Sequence, residues 1–429
     1  MKRIKGMINN NRAVDHMEFD DDMVGEIVSR LPLKFAIQCK VLSKKLKGRI
    51  SDPNFSQLLF EHQKDCSTQI IYSSHVFSTS FHKISLNPSP IIQCSTYLSC
   101  DVDLLASCNG LILLDFEEIG VYCIFNPTTK EHQLIEYPES THVIGYTGLA
   151  VDYPSSDSYK LVTIRELVGN FNWFYKFHVL SSEISGVWRE VQLRANTSIS
   201  LSFYCPPVYW RYSLYWLRSD SSVLAFEIKR EEAILIDRPQ FIDHFDLNYG
   251  KVTGRDIWLG VAKGLLTLVS IFKKSIVITT CNDANNTWKV SHILDNFVLN
   301  PYDIIKGFPV FIDSKEVSFV VEPSLRKYHL YEYDTKINGY KKIEVLDRMV
   351  NDRMYCFHPT LACVHKTPSN NVTIAQQAYI AEKLNDIKRF IIEDICIEES
   401  SSEEESSSEE DEDEDEEGEG EGEGEGEGE

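Results

Sequence analysis

Apolar residues recur at helical spacing in segment 18–62 of the chain. The first run follows three carboxylates at positions 20–22, which a helix N-terminus favours, and Pro32 ends it. A second run covers Leu33 to Leu42. Ser43 is placed to cap a third run, which Asp52-Pro53 interrupts. The pattern predicts three short helices, a unit too small to bury much surface without a partner.

From Leu104 to Cys363 the pattern changes to short runs rich in Val, Ile, Tyr, Phe and Trp, separated by polar turns. Five hairpin-like units repeat, with turns that begin near Asn126, Ser181, Lys229, Asn282 and Asp334, at intervals of 55, 48, 53 and 52 residues. A period of about fifty residues with three or four strands per unit is typical of propeller blades. Strand-like runs from Gln69 to Tyr97 would supply a sixth blade. The alternative is a β-sandwich or two unrelated β domains, because hairpins also recur in those folds.

The pattern becomes helical again after Asn371. Apolar residues then fall at spacings of four, three, four and four on one helix face: Ile380, Leu384, Ile387, Ile391 and Ile395. We expect this helix to pack on the β domain, and a partner-binding helix is the alternative.

The fold class predicted from these patterns is α+β and multidomain, with an all-β domain that favours a β-propeller. The predicted segments are a disordered basic lead at 1–16, the helical unit at 17–62, a linker with the first strands at 63–103, the β domain at 104–370, the amphipathic helix at 371–397 and a disordered tail at 398–429.

The net charge of -22 is concentrated in the tail, where Glu398–Glu429 holds 20 acidic and no basic residues. Residues 1–397 carry 45 acidic and 43 basic residues and are nearly neutral. Because the tail has nothing apolar to bury and repels itself, we predict that it is disordered. Six serines in it have a carboxylate three residues later, a context that suits acid-directed kinases; they are Ser400, Ser401, Ser402, Ser406, Ser407 and Ser408. A merely solubilising tail is the alternative.

Several protein classes are excluded by the sequence. No run approaches the roughly 20 apolar residues that a membrane helix needs. The N-terminal residues lack the apolar stretch of a signal peptide. The 11 cysteines form no Cys-x-x-Cys pair, so we read them as reduced thiols of a cytoplasmic or nuclear protein.

Catalytic and metal-binding patterns are weak. The densest polar cluster, at 243–246, contains one histidine, and the cysteines Cys356 and Cys363 near His358 and His365 fit no common zinc module. The basic run Lys44-Lys45-x-Lys47-x-Arg49 spreads around a helix axis and is expected to be solvated, so we expect no nucleic-acid partner. We therefore predict no cofactor, no metal and no catalytic residue.

The helical segment resembles the F-box of plant F-box proteins. The similar stretches are MVGEIVSRLPLK from Met23 and VLSKKLKGRISDPNF from Val41, with Phe19-Asp20 in place of the usual opening Leu-Pro and Leu46 in place of a frequent Trp. The β region resembles the kelch-like, propeller-type F-box-associated domain, through Ser107-Cys108-Asn109-Gly110-Leu111, Phe125-Asn126-Pro127-Thr128-Thr129-Lys130, Asp157-Ser158-Tyr159-Lys160-Leu161-Val162, Leu214-Tyr215-Trp216-Leu217 and Val223-Leu224-Ala225-Phe226.

This resemblance implies a substrate receptor of an SCF-type cullin-RING ubiquitin ligase. The F-box would bind a Skp-family adaptor and the β domain would hold the target protein. By family position, the adaptor-binding residues would be Val24, Ile27, Leu31, Pro32, Leu33, Val41 and Leu46. The alternatives are a propeller enzyme or carbohydrate-binding module, and an acidic-tailed nuclear binding protein.

Overall fold

The structure is a computed structural model of the chain, and its described residues lie in the first of two compact units, Met1–Cys396. It describes residues 21–31, 33–63, 69–74, 80–85, 93–97, 102–138, 146–156, 158–168, 173–183, 187–197, 199–202, 205–242, 257–262, 264–272, 275–282, 286–295, 307–312, 316–324, 327–334, 339–347, 354–364 and 372–392. The basic lead, the acidic tail and the polar cluster at 243–246 therefore lie outside the described residues.

The N-terminal segment forms four α-helices, not the three that the pattern predicts. They are α1 (Asp21–Ser29), α2 (Leu33–Gln38), α3 (Lys44–Ile50) and α4 (Pro53–Gln63), and a 3-10 turn at Cys39–Val41 follows α2. The prediction was wrong at Pro53, which interrupts the chain only briefly. Proline lacks the N–H that the first helical position leaves unpaired in any case, so it begins α4 instead of ending the helical segment.

Twenty-four β-strands follow within the part of the chain that the structure describes. They are β1 (Gln69–Ser74), β2 (Ser80–Ser85), β3 (Gln93–Tyr97), β4 (Asp103–Cys108), β5 (Leu111–Phe116), β6 (Val121–Asn126), β7 (Glu131–Glu136), β8 (Thr147–Val151), β9 (Tyr159–Val168), β10 (Trp173–Ser181), β11 (Arg189–Thr197), β12 (Val208–Trp210), β13 (Ser213–Leu217), β14 (Val223–Glu227), β15 (Glu232–Ile236), β16 (Ile257–Ala262), β17 (Leu265–Ile271), β18 (Ser275–Asn282), β19 (Thr287–Asp295), β20 (Gly307–Ile312), β21 (Glu316–Ser324), β22 (Lys327–Asp334), β23 (Gly339–Asp347) and β24 (Met354–Phe357).

These strands form six four-stranded antiparallel sheets arranged as the blades of a propeller. Blades 1 to 5 each use four consecutive strands, from β4–β7 to β20–β23. Blade 6 joins the last strand, β24, to β1, β2 and β3 from the start of the β region. The first strands of neighbouring blades, β4, β8, β12, β16, β20 and β24, contact one another in turn and return to β4. The ring is therefore closed by pairing between its two ends.

The five repeated units of the sequence correspond to the third and fourth strands of blades 1 to 5. The turns predicted near Asn126, Ser181, Lys229, Asn282 and Asp334 each join those two strands. Strands 69–97, which the sequence suggested as a sixth blade, supply three of the four strands of blade 6. The spacing of about fifty residues is therefore the length of one blade.

The apolar core lies between adjacent blades. The second and third strands of blade 1, β5 and β6, are buried along their whole length because both of their faces pack against other blades or the C-terminal helix. Their side chains contribute alternately to two clusters, one shared with blade 6 and one shared with blade 2. This explains why LILLDF and VYCIFN read as nearly continuous apolar runs, without the alternation of a one-sided sheet.

The C-terminal helix, α5 (Ile374–Ile392), packs on blade 6 through its predicted apolar face. Ile380, Leu384, Ile387 and Ile391 are buried in the cluster of blades 6 and 1, while Ile395 lies outside the described residues. The prediction that this helix packs on the β domain is therefore confirmed for the part that the structure describes.

The two faces of the ring differ in what covers them. Because neighbouring strands are antiparallel, the turns after the first and third strands of each blade lie on one face. We call this the helix face, because the turn at 152–158 and the segment 358–364 contact the N-terminal helices there. The turns after the second strands, such as 117–120 and 218–222, lie on the opposite face.

Candidate functional site

The four N-terminal helices enclose a small apolar core of their own. Its buried members come from all four helices and from one distant segment, and they are Val28, Leu33, Ala36, Ile50, Phe55, Leu59 and Leu361. Residues 24, 31, 37, 39 and 46 pack against this core while remaining partly exposed. Packing in this shared core therefore stabilises the arrangement of the four helices.

Side-chain caps lie at the start of α3 and at the start of α4. The Ser43 hydroxyl accepts a hydrogen bond from the Leu46 N–H over 3.0 Å, as the sequence predicts for an N-cap. The Asp52 carboxylate accepts from the Asn54 N–H over 2.8 Å at the start of α4. These caps satisfy N–H groups that have no partner within the helices.

The same helices leave a large apolar surface exposed. Its side chains are Met23 (53% exposed), Ile27 (51%), Phe35 (53%), Val41 (85%) and Leu42 (72%), which we call the apolar face. The remaining exposed large hydrophobic side chains among the described residues are spread over the propeller and α5. Five exposed large apolar side chains within segment 23–42 are a concentration typical of a surface that another protein covers.

Charged groups lie on and beside the same helices. Arg30, which follows the last residue of α1, donates through Nε to the carboxylate of Glu26 on α1 over 2.9 Å. The basic residues of α3, Lys44, Lys45, Lys47 and Arg49, are exposed, as expected for a solvated helix surface. An exposed ion pair of this kind contributes only about 0.3–0.5 kcal/mol to stability. The free energy available at this surface therefore lies mainly in its apolar side chains.

Cysteine and histidine side chains do not gather in the described part of the propeller. No three His, Cys, Asp or Glu side chains there are placed to hold a metal ion. Burial raises the pKa of the Cys356 thiol to about 12, so the thiol is neutral near pH 7. Cys363 is exposed, and His365 lies outside the described residues. No helix among the described residues is long and apolar enough to cross a membrane.

One buried polar network was missed from the sequence. The Tyr137 hydroxyl donates to the carboxylate of Asp115, a buried residue near the end of β5. Burial, opposed by this hydrogen bond, raises the pKa of Asp115 to about 7. The ring of Tyr122 packs against Tyr137, and its hydroxyl accepts from Thr147 over 3.3 Å. The sequence around Asp115 does not indicate which residue is its hydrogen-bond partner, because Tyr137 is 22 residues away.

The F-box associated beta propeller domain family matches residues 64–364, which is most of the chain. The chain belongs to this family. The match begins directly after α4 and ends at the last described residue of segment 354–364.

Relatives from Arabidopsis thaliana are F-box proteins. One, named as an F-box/kelch-repeat protein, is 27% identical over 50% of this chain and 49% of its own length. A second with the same type of name is 22% identical over 86% of this chain and 94% of its own length. F-box protein CPR1 is 25% identical over 60% of this chain and 67% of its own length. The first match thus spans about half of that relative. With the family assignment, these relatives identify a plant F-box protein.

The structure divides the predicted adaptor-binding residues of this F-box into three groups. Ile27 and Val41 are exposed and belong to the apolar face. Val24, Leu31 and Leu46 are half-buried against the helical core, and Leu33 is buried within it. Pro32 lies outside the described residues. Only the exposed and half-buried side chains are accessible to a partner without rearrangement of the helices.

Three residues of the apolar face were not selected from the sequence. Met23 precedes Ile27 by four residues on α1, a spacing that places both on one side of a helix. Phe35 and Leu42 lie on either side of the 3-10 turn, where the helical period is broken. The spacing could have revealed Met23. Leu42 follows the turn, and Phe35 shares the short helix α2 with the buried Leu33 and Ala36, so the sequence did not mark either as exposed. The six serines proposed as phosphorylation sites lie outside the described residues.

Proposed function

We propose that the protein is the substrate-recognition subunit of an SCF-type cullin-RING ubiquitin ligase. Its F-box binds a Skp-family adaptor, and through it the cullin-RING ligase, while the propeller binds the protein to be ubiquitinated. The receptor itself supplies orientation, because holding a target lysine near a ubiquitin-loaded enzyme raises its effective concentration. The ubiquitin-transfer chemistry belongs to other subunits of the complex.

The observation that carries this proposal is the apolar face. The five side chains at 23, 27, 35, 41 and 42 remain largely in water although the helical core beneath them is complete. Covering such side chains stabilises a complex by roughly 25 cal/mol per Å² of apolar surface before the costs of association are subtracted. An adaptor that brings its own apolar helices would supply that cover.

The target is expected to bind on the propeller face that the helices leave open. Helix α4 and the segment 358–364 occupy the helix face near blades 1 and 2. Turns such as 117–120 and 218–222, on the opposite face, point away from the F-box. Binding there would leave the target and the adaptor on different sides of the receptor.

The remaining parts of the chain fit the same proposal. The F-box would comprise 17–62, the propeller would use the linker strands at 63–103 with the β domain at 104–370, and 371–397 would support blade 6. The tail at 398–429 would act as a solubilising or phosphorylation-dependent modulator. A cytoplasmic or nuclear location is expected, because that is where cullin-RING substrates and reduced cysteines occur.

Co-purification with a plant Skp-family adaptor tests the proposal. The wild-type chain and two variants, Ile27→Asp and Phe35→Asp, are co-expressed with the adaptor and captured through a tag on the receptor. We expect stoichiometric adaptor with the wild type and at least about a tenfold loss with each variant, since a buried unpaired carboxylate costs more than about 1.4 kcal/mol.

Ile234→Asp is the matched control, because Ile234 on β15 is exposed to nearly the same degree as Ile27, 49% against 51%. It adds the same charge far from the helices and should bind adaptor normally. Failure of the wild-type chain to capture the adaptor, or equal capture by Ile27→Asp and the control, would refute the proposal.

A further inference from the structure

The segment 358–364, which follows β24, belongs to two cores at once. We call it the strap. Leu361, which is 7% exposed, is buried in the core of the F-box helices. Its neighbour Ala362 and, two residues further, Val364 are buried instead in the core between blades 1 and 2. In an extended chain, successive side chains point to opposite sides, so a single strap can fill both cores.

Side chains of blade 1 fix the strap to the propeller. The amide of Asn126, a fully buried residue, donates to the Ala362 carbonyl over 2.7 Å and to the Thr360 carbonyl over 3.3 Å. The Thr360 hydroxyl in turn donates to the Asn109 carbonyl over 2.7 Å. The Glu131 carboxylate accepts from the Val364 N–H over 3.1 Å. The bonds with Asn126 and Glu131 pair main-chain groups of the strap, while the side chain of Leu361 packs in the core of the helices.

Helix α4 makes a second contact with the propeller at a different place. The ring of Phe60 meets the ring of Tyr153 edge to face, with centroids 5.6 Å apart and planes at 82°. The Tyr153 hydroxyl also lies 3.4 Å from the Ser56 carbonyl, to which it donates. Tyr153 belongs to the turn of blade 2, and its carbonyl accepts a hydrogen bond from the Asn109 side chain over 3.3 Å. Asn109 is the same residue whose carbonyl accepts from Thr360 of the strap. The two contacts are therefore linked through blade 1.

Two separated contacts restrict rotation as well as distance. Residues 64–68 join α4 to β1 along the chain and lie outside the described residues. Leu361 and the pair Phe60–Tyr153 together oppose rotation about either contact. Because packed cores have discrete arrangements, the F-box should hold one orientation on the propeller.

We infer that Leu361 is a positioning residue, which holds the adaptor-binding helices at one orientation relative to the target-binding face. This inference rests on the proposed function for its role in ubiquitin transfer. A fixed orientation would confine transfer to target lysines within a limited zone, because the distance from target face to ligase cannot vary freely. The strand that closes the ring, β24, therefore leads directly into the segment that orients the F-box.

Distances measured within the full chain test this inference. Fluorophores are placed through non-natural residues at Lys45 on α3 and Lys229 on blade 3, both of which are exposed. Single-molecule energy transfer is recorded for the free chain and for its complex with the adaptor. We expect one narrow distribution for the wild type and a distribution at least about twofold broader for Leu361→Ala combined with Tyr153→Ala. Adaptor affinity should stay within about twofold, because the apolar face is unchanged.

Leu268→Ala is the matched control, since Leu268 is fully buried between blades 3 and 4 and belongs to a core without residues of the four N-terminal helices. It should lower stability without broadening the distribution. An unchanged width of the distance distribution in the double variant, or equal broadening in the control, would overturn the inference.

If the double variant fails to fold, two single variants at Leu361 are compared instead. Leu361→Ala should broaden the distance distribution, whereas Leu361→Met should keep it as narrow as in the wild type. Lack of adaptor binding by the wild type would refute the proposed function and leave the distance result interpretable.

Discussion

The ammonium group of Lys83 donates a hydrogen bond to the Phe390 carbonyl over 2.9 Å inside the protein. Lys83 is on β2 and is only 1% exposed, and it also lies 3.2 Å from the Ile391 carbonyl. Both carbonyls belong to the last turn of α5, where helical oxygens have no partner within the helix and carry partial negative charge. One buried lysine thus anchors the end of the C-terminal helix to blade 6.

Replacing Lys83 by methionine should loosen the end of α5. The variant keeps the length and most of the volume of the side chain but leaves two buried carbonyls without this donor, at a cost of about 2 kcal/mol. That cost corresponds to roughly 30-fold faster amide exchange in the last turns of the helix. Hydrogen exchange read by mass spectrometry measures it. Lys289→Met, at an exposed position on β19, is the control, and equal exchange of α5 in both variants would contradict the anchoring role.

Asp115 should make stability depend on pH near neutrality. Its pKa rises from an ordinary value near 3.8 to about 7, chiefly through burial, so the folded state holds the proton more tightly than the unfolded chain does. The favourable contribution is complete below about pH 4 and is lost as the pH rises through about 7. Within that window the free energy of unfolding should fall by up to about 1.4 kcal/mol per pH unit.

The comparison of wild type with Asp115→Asn isolates this effect. Thermal unfolding midpoints are recorded between pH 5 and pH 8 at constant ionic strength, and the amide variant should show a shallower decline than the wild type. Other groups, such as Glu166, also have a raised pKa, so the difference between the two proteins is the informative quantity. Asp237→Asn, at an exposed position, should retain the wild-type slope. Parallel curves for Asp115→Asn and the wild type would argue against a buried proton.

Two glycines offer a matched test of how tightly the strap is packed. Gly110 and Gly120 both have positive φ, at 84° and 78°, so alanine at either position carries a backbone cost of about 1–2 kcal/mol. A methyl group at Gly110 would also overlap the Thr360 side chain and lie 2.8 Å from its main-chain nitrogen, whereas nothing lies within 4 Å at Gly120.

Gly110→Ala should therefore destabilise the protein by about 1–3 kcal/mol more than Gly120→Ala does. Its additional effect should appear as faster hydrogen exchange in the strap and in α4. Urea unfolding gives the stability difference, and exchange locates it. Equal destabilisation by the two substitutions would mean that the strap can shift without cost.

Local features of the sequence predicted the repeated hairpins and the buried face of α5. Turns such as the one at Asn126 and the spacing from Ile380 to Ile391 depend only on neighbours along the chain. The closure of blade 6 depends instead on pairing between Ile71 on β1 and Tyr355 on β24, which are distant in sequence. No short-range pattern records such a partner, and so the ring could be suggested but not established from the sequence.

The buried and exposed residues of the F-box could not be separated from sequence for a similar reason. Leu33 and Ile27 are both apolar and both lie at helical spacing, yet only the first is buried. Which side faces inward is decided by the packing of four helices and by Leu361, about 330 residues away in sequence. Lys83 shows the same limitation, because a lysine in a strand is usually exposed and only the arrival of α5 buries it.

Opposite effects of substitution at Leu33 and at Val41 should separate the helical core from the adaptor-binding surface. Leu33→Ala removes a buried side chain and should lower the stability of the F-box by about 2–5 kcal/mol. Val41 is 85% exposed, so Val41→Asp should change stability by less than about 0.5 kcal/mol yet weaken adaptor binding at least about tenfold. Calorimetry of binding to the purified adaptor measures the affinity, and hydrogen exchange of α1 to α4 measures the stability of the helices.

If Leu33→Ala lowers the affinity while hydrogen exchange of the helices stays normal, Leu33 contacts the adaptor directly, and the assignment of Leu33 to the helical core is wrong. If Val41→Asp binds normally, the adaptor covers a different part of the apolar face, and Met23→Asp should then show the loss.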